Sequence, residues 1–267
     1  MAASAKTNEL DEATRAFYCD AVRALQRANI PLVVGGAYAS ASYTGIERHT
    51  KDFDVFVRAQ DAERALHALR DAGCRVEITF PHWLGKAYHG DAFVDVIWSS
   101  GNGVARVDDA WIERAREDDV LGCRVRVCPP EEMLWSKAFV QERERFDGAD
   151  VLHLLRARAE HLDWRHLLER FGANWRVLYG HLVLFGFVYP TERAKIPAWV
   201  MRELARRLDV ELDEPAPGPP VCNGTILSRE QYLLDIERWG YADGRLAQAA
   251  MSPDDVTTWT AAIGTIP

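Results

Sequence analysis

Val33-Val34-Gly35-Gly36 and, a short helical segment later, Thr50-Lys51-Asp52-Phe53-Asp54-Val55-Phe56-Val57 read as two strands separated by a tight turn. Strand side chains alternate with a period of two. Phe53, Val55 and Val57 therefore point into a core, while Asp52 and Asp54 project together from the opposite face. Two carboxylates on one face repel, so they need solvent, a counter-charge or a bound cation. A hard divalent metal is the most economical answer, because Mg²⁺ takes oxygen ligands and bridges carboxylates to phosphates.

Working outward, Asp91-Ala-Phe-Val-Asp95-Val-Ile-Trp98 supplies a third carboxylate. Asp95 stands mid-strand between Val94 and Val96, where an apolar neighbourhood gives a charge no evident purpose. Three such carboxylates on neighbouring strands could hold two ions about 3.5–4 Å apart, the separation used for in-line phosphoryl displacement. In that arrangement Asp95 could also take a proton from an attacking hydroxyl. The Gly35-Gly36 turn complements them: without side chains the backbone N–H groups can approach a phosphate, and the following helix N-terminus favours negative charge. Arg48, Thr50 and Lys51 lie just ahead of the aspartates, where cations could neutralise a triphosphate or departing pyrophosphate.

The order Gly-Gly, then Arg48-x-Thr50-Lys51-Asp52-x-Asp54, then a later strand aspartate, resembles the signature of the polymerase-beta-like nucleotidyltransferase superfamily. Within it the chain is most similar to bacterial abortive-infection-type, toxin-like nucleotidyltransferases and their uncharacterised relatives. Pro130-Glu131-Glu132-Met133-Leu134-Trp135-Ser136-Lys137 resembles the helix that presents a lysine to the nucleotide there, and Arg145-Phe-Asp147-Gly-Ala-Asp150 resembles a following arginine-aspartate-x-x-aspartate helix. The resemblance spans roughly residues 30–155. It implies an α/β nucleotidyltransferase fold with a mixed sheet, and the helical pattern after Cys128 adds a helical C-terminal domain. It implies Asp52, Asp54 and Asp95 as metal ligands and catalytic carboxylates, with Gly35, Gly36, Arg48, Thr50, Lys51, Lys137 and Asp150 around the nucleotide. Two Mg²⁺ ions, an NTP substrate and an acceptor hydroxyl on RNA, protein or a small molecule are implied too, as is a cognate antitoxin or other partner protein. Superfamily members with Gly-Ser have a hydroxyl for the phosphate that Gly35-Gly36-Ala37-Tyr38 lacks.

The rest of the chain sets the frame. Its 267 residues, 48% hydrophobic, allow one large domain or two modest ones with a substantial core. The formal charge of −8 argues against an obligate nucleic-acid binder with a broad basic face. Arginine dominates the basic residues, and lysine stands only at positions 6, 51, 86, 137 and 195. The N-terminus has no apolar signal core and the longest apolar run, Val177 to Tyr189, is too short to span a bilayer, so a cytoplasmic protein without a membrane partner is expected. The five cysteines form no CxxC pair and read as reduced, buried thiols.

Helices are expected over 8–28, 37–43, from an Asp61 cap to Ala72, and over 131–143, 147–160, 163–171 and 199–208. Strands are expected at 30–34, 53–57, 74–80, 92–98 and 124–128. Residues 215–220, Pro-Ala-Pro-Gly-Pro-Pro, read as a linker, and 225–240 as one more capped helix whose Thr225, Ser228, Gln231, Tyr232 and Asp235 are unusually polar. The domain division falls at 128: a catalytic domain over 1–128 and a helical one over 129–267. His82, Lys86 and His89, in what reads as a loop before the Asp95 strand, and His49 beside Lys51, are secondary candidates. The principal rival is a catalytically silent nucleotide-binding regulatory module; a phosphohydrolase fits the motif order less well.

Overall fold

The computed structural model describes residues 10–48, 50–213, 215 and 218–264; His49 lies outside them. Two compact units are present, one made of Met1–Trp98 and Arg106–Cys128, the other of Ser99–Ala105 and Pro129–Pro267. In chain order the first contains α1 (Glu12–Arg27), β1 (Leu32–Val34), α2 (Gly36–Thr44), β2 (Asp52–Val57), α3 (Ala59–Asp71), β3 (Arg75–Phe80), β4 (Leu84–His89), β5 (Ala92–Ile97), α4 (Asp109–Glu113), β6 (Arg116–Val120) and β7 (Cys123–Val127).

The seven strands form one mixed sheet in the order β3-β4-β5-β2-β1-β7-β6. β2 runs parallel to β5, and β1 parallel to β7; the remaining neighbours are antiparallel. The alternation in β2 holds as expected, with Phe53, Val55 and Val57 buried and Asp52 exposed. α1 and α3 carry apolar stripes, Phe17, Tyr18, Val22 and Leu25 on one and Ala62, Ala65, Leu66 and Leu69 on the other, that cover this inner face. Tyr18 stacks on Phe53 with ring centroids 4.7 Å apart. Complete burial of an aromatic such as Phe53 stabilises the fold by about 1.5–3 kcal/mol.

Several expectations are corrected. Residues 84–89 are a strand, not a loop; Gly85, Lys86 and His89 weaken the apolar alternation, and the segment becomes β4 because it pairs on both sides. β6, with Arg116, Glu117, Asp118 and Asp119, carried too little apolar signal to be read at all. Asp61 does not cap α3: Arg58 holds that position, and Asp61 is buried inside the first turn, accepting from Arg58 and Arg64. Cys19 and Cys123 form a disulfide, joining α1 to β7 with their Cα atoms 5.7 Å apart; Cys74, Cys128 and Cys222 take no part in a disulfide.

The second unit contains α5 (Pro130–Ala138), α6 (Gly148–Arg158), α7 (Trp164–Phe171), α8 (Trp175–Val188) and α9 (Ala198–Leu212). α5 is shorter than its expected 131–143, because Gln141 pairs with Phe146 in a tight turn and its N–H is taken by the Leu227 carbonyl. The tail is not one helix but two short ones, Gly224–Leu227 and Leu233–Glu237. Its polar side chains are spent internally: Thr225 donates to Asp243 and Ser228 to Glu142. No helix among the described residues is long and apolar enough to cross a membrane.

Candidate active site

β2 and β5 run parallel in a register that places Asp54 opposite Asp95 and Asp52 opposite Phe93. Because Asp52 and Asp54 are two positions apart, with Phe53 alone between them, all three carboxylates leave the sheet on the same face. β1 ends at Val34, and the Gly35 N–H donates to the Asp54 carbonyl at 2.9 Å, extending the β1–β2 ladder by one residue. That amide is therefore committed to the sheet rather than offered to a phosphate. A Cβ on Gly35 would collide with the Phe56 ring, which stacks on buried Trp111 at 5.1 Å.

Gly36 opens α2 with φ +57, and a Cβ there would overlap the Asp54 carboxylate at Oδ2. The missing side chain is thus the space in which Asp54 sits. As first residues of a helix, Gly36, Ala37 and Tyr38 have N–H groups with no intrahelical acceptor, at the positive end of the helix dipole. The turn brings donors for anionic oxygen within one residue of a carboxylate, a pairing suited to a metal-bridged phosphate.

Two phenols brace the approach to Asp52. Tyr18 Oη, from α1, donates to the Lys51 carbonyl at 2.5 Å, and Tyr38 Oη, from α2, donates to the Thr50 carbonyl at 3.0 Å. Thr50 Oγ1 in turn accepts the Asp52 N–H at 3.1 Å. Burial, aided by the charges of Asp52 and Asp54, pushes the Tyr38 phenol above its ordinary range; burial, then Tyr38 and Asp52, does the same for Tyr18. Both stay protonated donors. Neither was singled out in the sequence, because a bond to a backbone carbonyl on a distant segment leaves no local pattern. The side chains of Arg48 and Lys51 are exposed beside this segment.

Asp95 does have a counter-charge. Lys86, its partner on β4, places Nζ 2.7 Å from Asp95 Oδ1 and 4.1 Å from the centroid of the Phe93 ring. Burial raises the Asp95 carboxyl above the usual carboxylate range; Lys86 pulls it down and the charge of Asp52 pushes it up. Among the described residues no three His, Cys, Asp or Glu side chains converge to hold a metal ion. What fits a divalent cation here is the donor chemistry, Asp52 and Asp54 on one strand face with the glycine cradle beside them. His89 closes β4 and stacks on Phe17 at 5.4 Å, while His82 belongs to the turn ahead of that strand.

Lys137 and Asp150 form a separate cluster in the second unit. Lys137 Nζ bridges Asp147 Oδ2 at 3.0 Å and Asp150 Oδ2 at 2.9 Å, and Arg145 also bonds Asp147. Burial alone would raise the Asp147 carboxyl, but Arg145 and Lys137 outweigh it and hold it below the usual range.

Over residues 2–178 the chain matches the family described as "Uncharacterised nucleotidyltransferase". The chain belongs to that family. This nucleotidyltransferase has no detectable match among curated proteins. Solved structures that resemble it include the antibiotic-resistance factor ANT(2'')-Ia, at 18% identity over 76% of this chain and 100% of that one, TM-score 0.39. The lincosamide antibiotic adenylyltransferase LnuA is 17% identical over 55% of this chain and 98% of its own, TM-score 0.38. An antigenic nucleotidyltransferase-like protein from Paracoccidioides brasiliensis is 14% identical over 70% and 95%, TM-score 0.42. Likenesses at this level carry no argument about the acceptor of this nucleotidyltransferase.

Proposed function

We propose that the protein transfers a nucleoside monophosphate from an NTP to an acceptor hydroxyl, with Mg²⁺ held by the carboxylate face of β2 and β5. The observation that carries this reading is the register pairing of Asp54 with Asp95, with Asp52 on the same face and Gly36 making room for Asp54. Bound Mg²⁺ would neutralise phosphate charge and lower the pKa of the attacking hydroxyl. Asp52 and Asp54 would hold it, and the N–H groups that open α2 would receive phosphate oxygens. Arg48, Thr50 and Lys51 flank the path of the triphosphate, and Lys137 and Asp150 are proposed as nucleotide contacts.

In the transfer the acceptor oxygen bonds to the α-phosphorus, the bridge to the β-phosphate breaks, and pyrophosphate leaves with its electron pair. Asp95 takes the hydroxyl proton. Positioning and charge neutralisation supply the catalysis, with no covalent intermediate on the protein. One observation favours the rival, a nucleotide-binding module without turnover: Asp95 is already neutralised by Lys86.

Incubation with each α-labelled NTP and Mg²⁺, offered RNA, cell protein and a small-molecule extract, separates the two. Label entering one fraction with wild type but not with Asp52→Asn/Asp54→Asn supports transfer and names the acceptor class. Mg²⁺-dependent NTP binding without label in any fraction would sink the transfer reading and leave the binding module.

A further inference from the structure

β3, β4, β5 and β2 are neighbours in one sheet, and their registers align Glu77, Lys86, Asp95 and Asp54 in a single row across it. Glu77 is satisfied from the edge side, by the Tyr88 hydroxyl at 2.7 Å and Arg75 at 2.9 Å. Lys86 turns the other way, to Asp95. Side-chain exposures of 21% and 13% make this a half-buried ion pair whose attraction solvent only partly screens. The ammonium therefore sits on Asp95 Oδ1, while the charge of Asp52 acts on the same carboxyl.

We propose that Lys86 is a positioning residue that stands in for a cation at Asp95, so that the nucleotide-free protein binds divalent metal through Asp52 and Asp54 alone. This rests on the reading of the carboxylate face as the metal and transfer site. Lysine suits the task because it is a point charge on a flexible stem, and its ammonium can give way when a doubly charged ion arrives with a nucleotide. Without that charge, Asp95 would face Asp54 and Asp52 uncompensated, and the three carboxylates together would demand more cation.

Manganese titration of nucleotide-free protein, read by calorimetry and by the electron paramagnetic resonance of free Mn²⁺, tests this. Wild type is expected to bind about one Mn²⁺ per chain. Lys86→Met should bind a second ion, or bind the first at least about tenfold more tightly, since it removes a positive charge from the same row of the sheet as Asp54. That gain should vanish in Lys86→Met/Asp95→Asn. Lys86→Arg, which keeps the charge, should titrate like wild type, and it keeps the test alive if the methionine variant misfolds. The idea is overturned if Lys86→Met titrates like wild type, or if Lys86→Arg shows the same gain, which would make the effect one of packing. Loss of binding in Asp52→Asn/Asp54→Asn alongside an unchanged Lys86→Met would sink only the role of Lys86. Binding undiminished in the double asparagine variant, or absent from every protein, would remove the metal site itself and the transfer reading with it.

Discussion

Gly36 joins two requirements in one residue. Its φ of +57 lies in the left-handed region, and its missing Cβ leaves the space taken by the Asp54 carboxylate. Alanine there must hold a strained backbone and displace Asp54. Gly36→Ala is expected to lower stability by about 1–3 kcal/mol, measured by urea denaturation, and to reduce turnover well beyond that loss when assayed where the variant is still folded. Stability lost with turnover intact would mean that Asp54 tolerates displacement and is not the metal ligand proposed here. The glycine pair was legible in the sequence as a turn; which glycine does what was not. The Gly35 amide is used by the sheet, and only the structure shows that Gly36 is the one facing the carboxylate.

At the level of elements, α8 and α5 meet through a buried histidine. His181 is 3% exposed, and its Nε2 lies 2.9 Å from the carbonyl of Ala138 at the end of α5. Burial lowers its pKa, only partly offset by that hydrogen bond, so the folded protein resists a proton the unfolded chain accepts near pH 6.5. Below that pH the unfolded state binds more protons, and this group's contribution to stability is lost as pH falls from about 6.5 through the lowered folded pKa. The slope cannot exceed about 1.4 kcal/mol per pH unit for one group. Thermal melts at pH 7.5 and pH 5.5 should show this loss in wild type and a smaller one in His181→Gln; identical pH dependence in the two would refute the assignment. The same element scale explains what sequence patterning missed. β4 and β6 carry weak alternation, and their identity as strands comes from the ladders their neighbours offer.

At the scale of the whole molecule, the chain leaves its first unit twice. Besides crossing at Pro129, it sends Ser99–Ala105 into the second unit, where Asn102 Nδ2 donates to the Ile226 carbonyl at 2.8 Å. Gly103, with φ +76, lies so close to the Ala250 carbonyl that a Cβ would clash with backbone, which cannot swing aside as a side chain would. Gly103→Ala should therefore cost about 1–3 kcal/mol from strain alone and more from the clash, whereas Asn102→Ala should cost about 1 kcal/mol for its hydrogen bond. Denaturant midpoints of the two variants check the order; a Gly103→Ala protein as stable as wild type would refute the packing described. This excursion left no trace in composition or periodicity, since seven residues of turn-forming sequence look alike wherever they dock.

Periodicity and motif order alone determined the strand carrying Asp52 and Asp54, the glycine turn before it, the Asp95 strand and the helical run after residue 129. These are local properties, written in side-chain alternation and in which residues tolerate a given backbone. Tertiary structure decided what depends on partners distant in the chain. Parallel pairing of β2 with β5 set Asp54 opposite Asp95, and antiparallel pairing with β4 gave Asp95 its lysine. Packing of α1 and α2 delivered the two tyrosines to the backbone before Asp52, and the approach of α1 to β7 joined Cys19 to Cys123. Register and packing are set by the whole sheet at once, and no window of the sequence contains them.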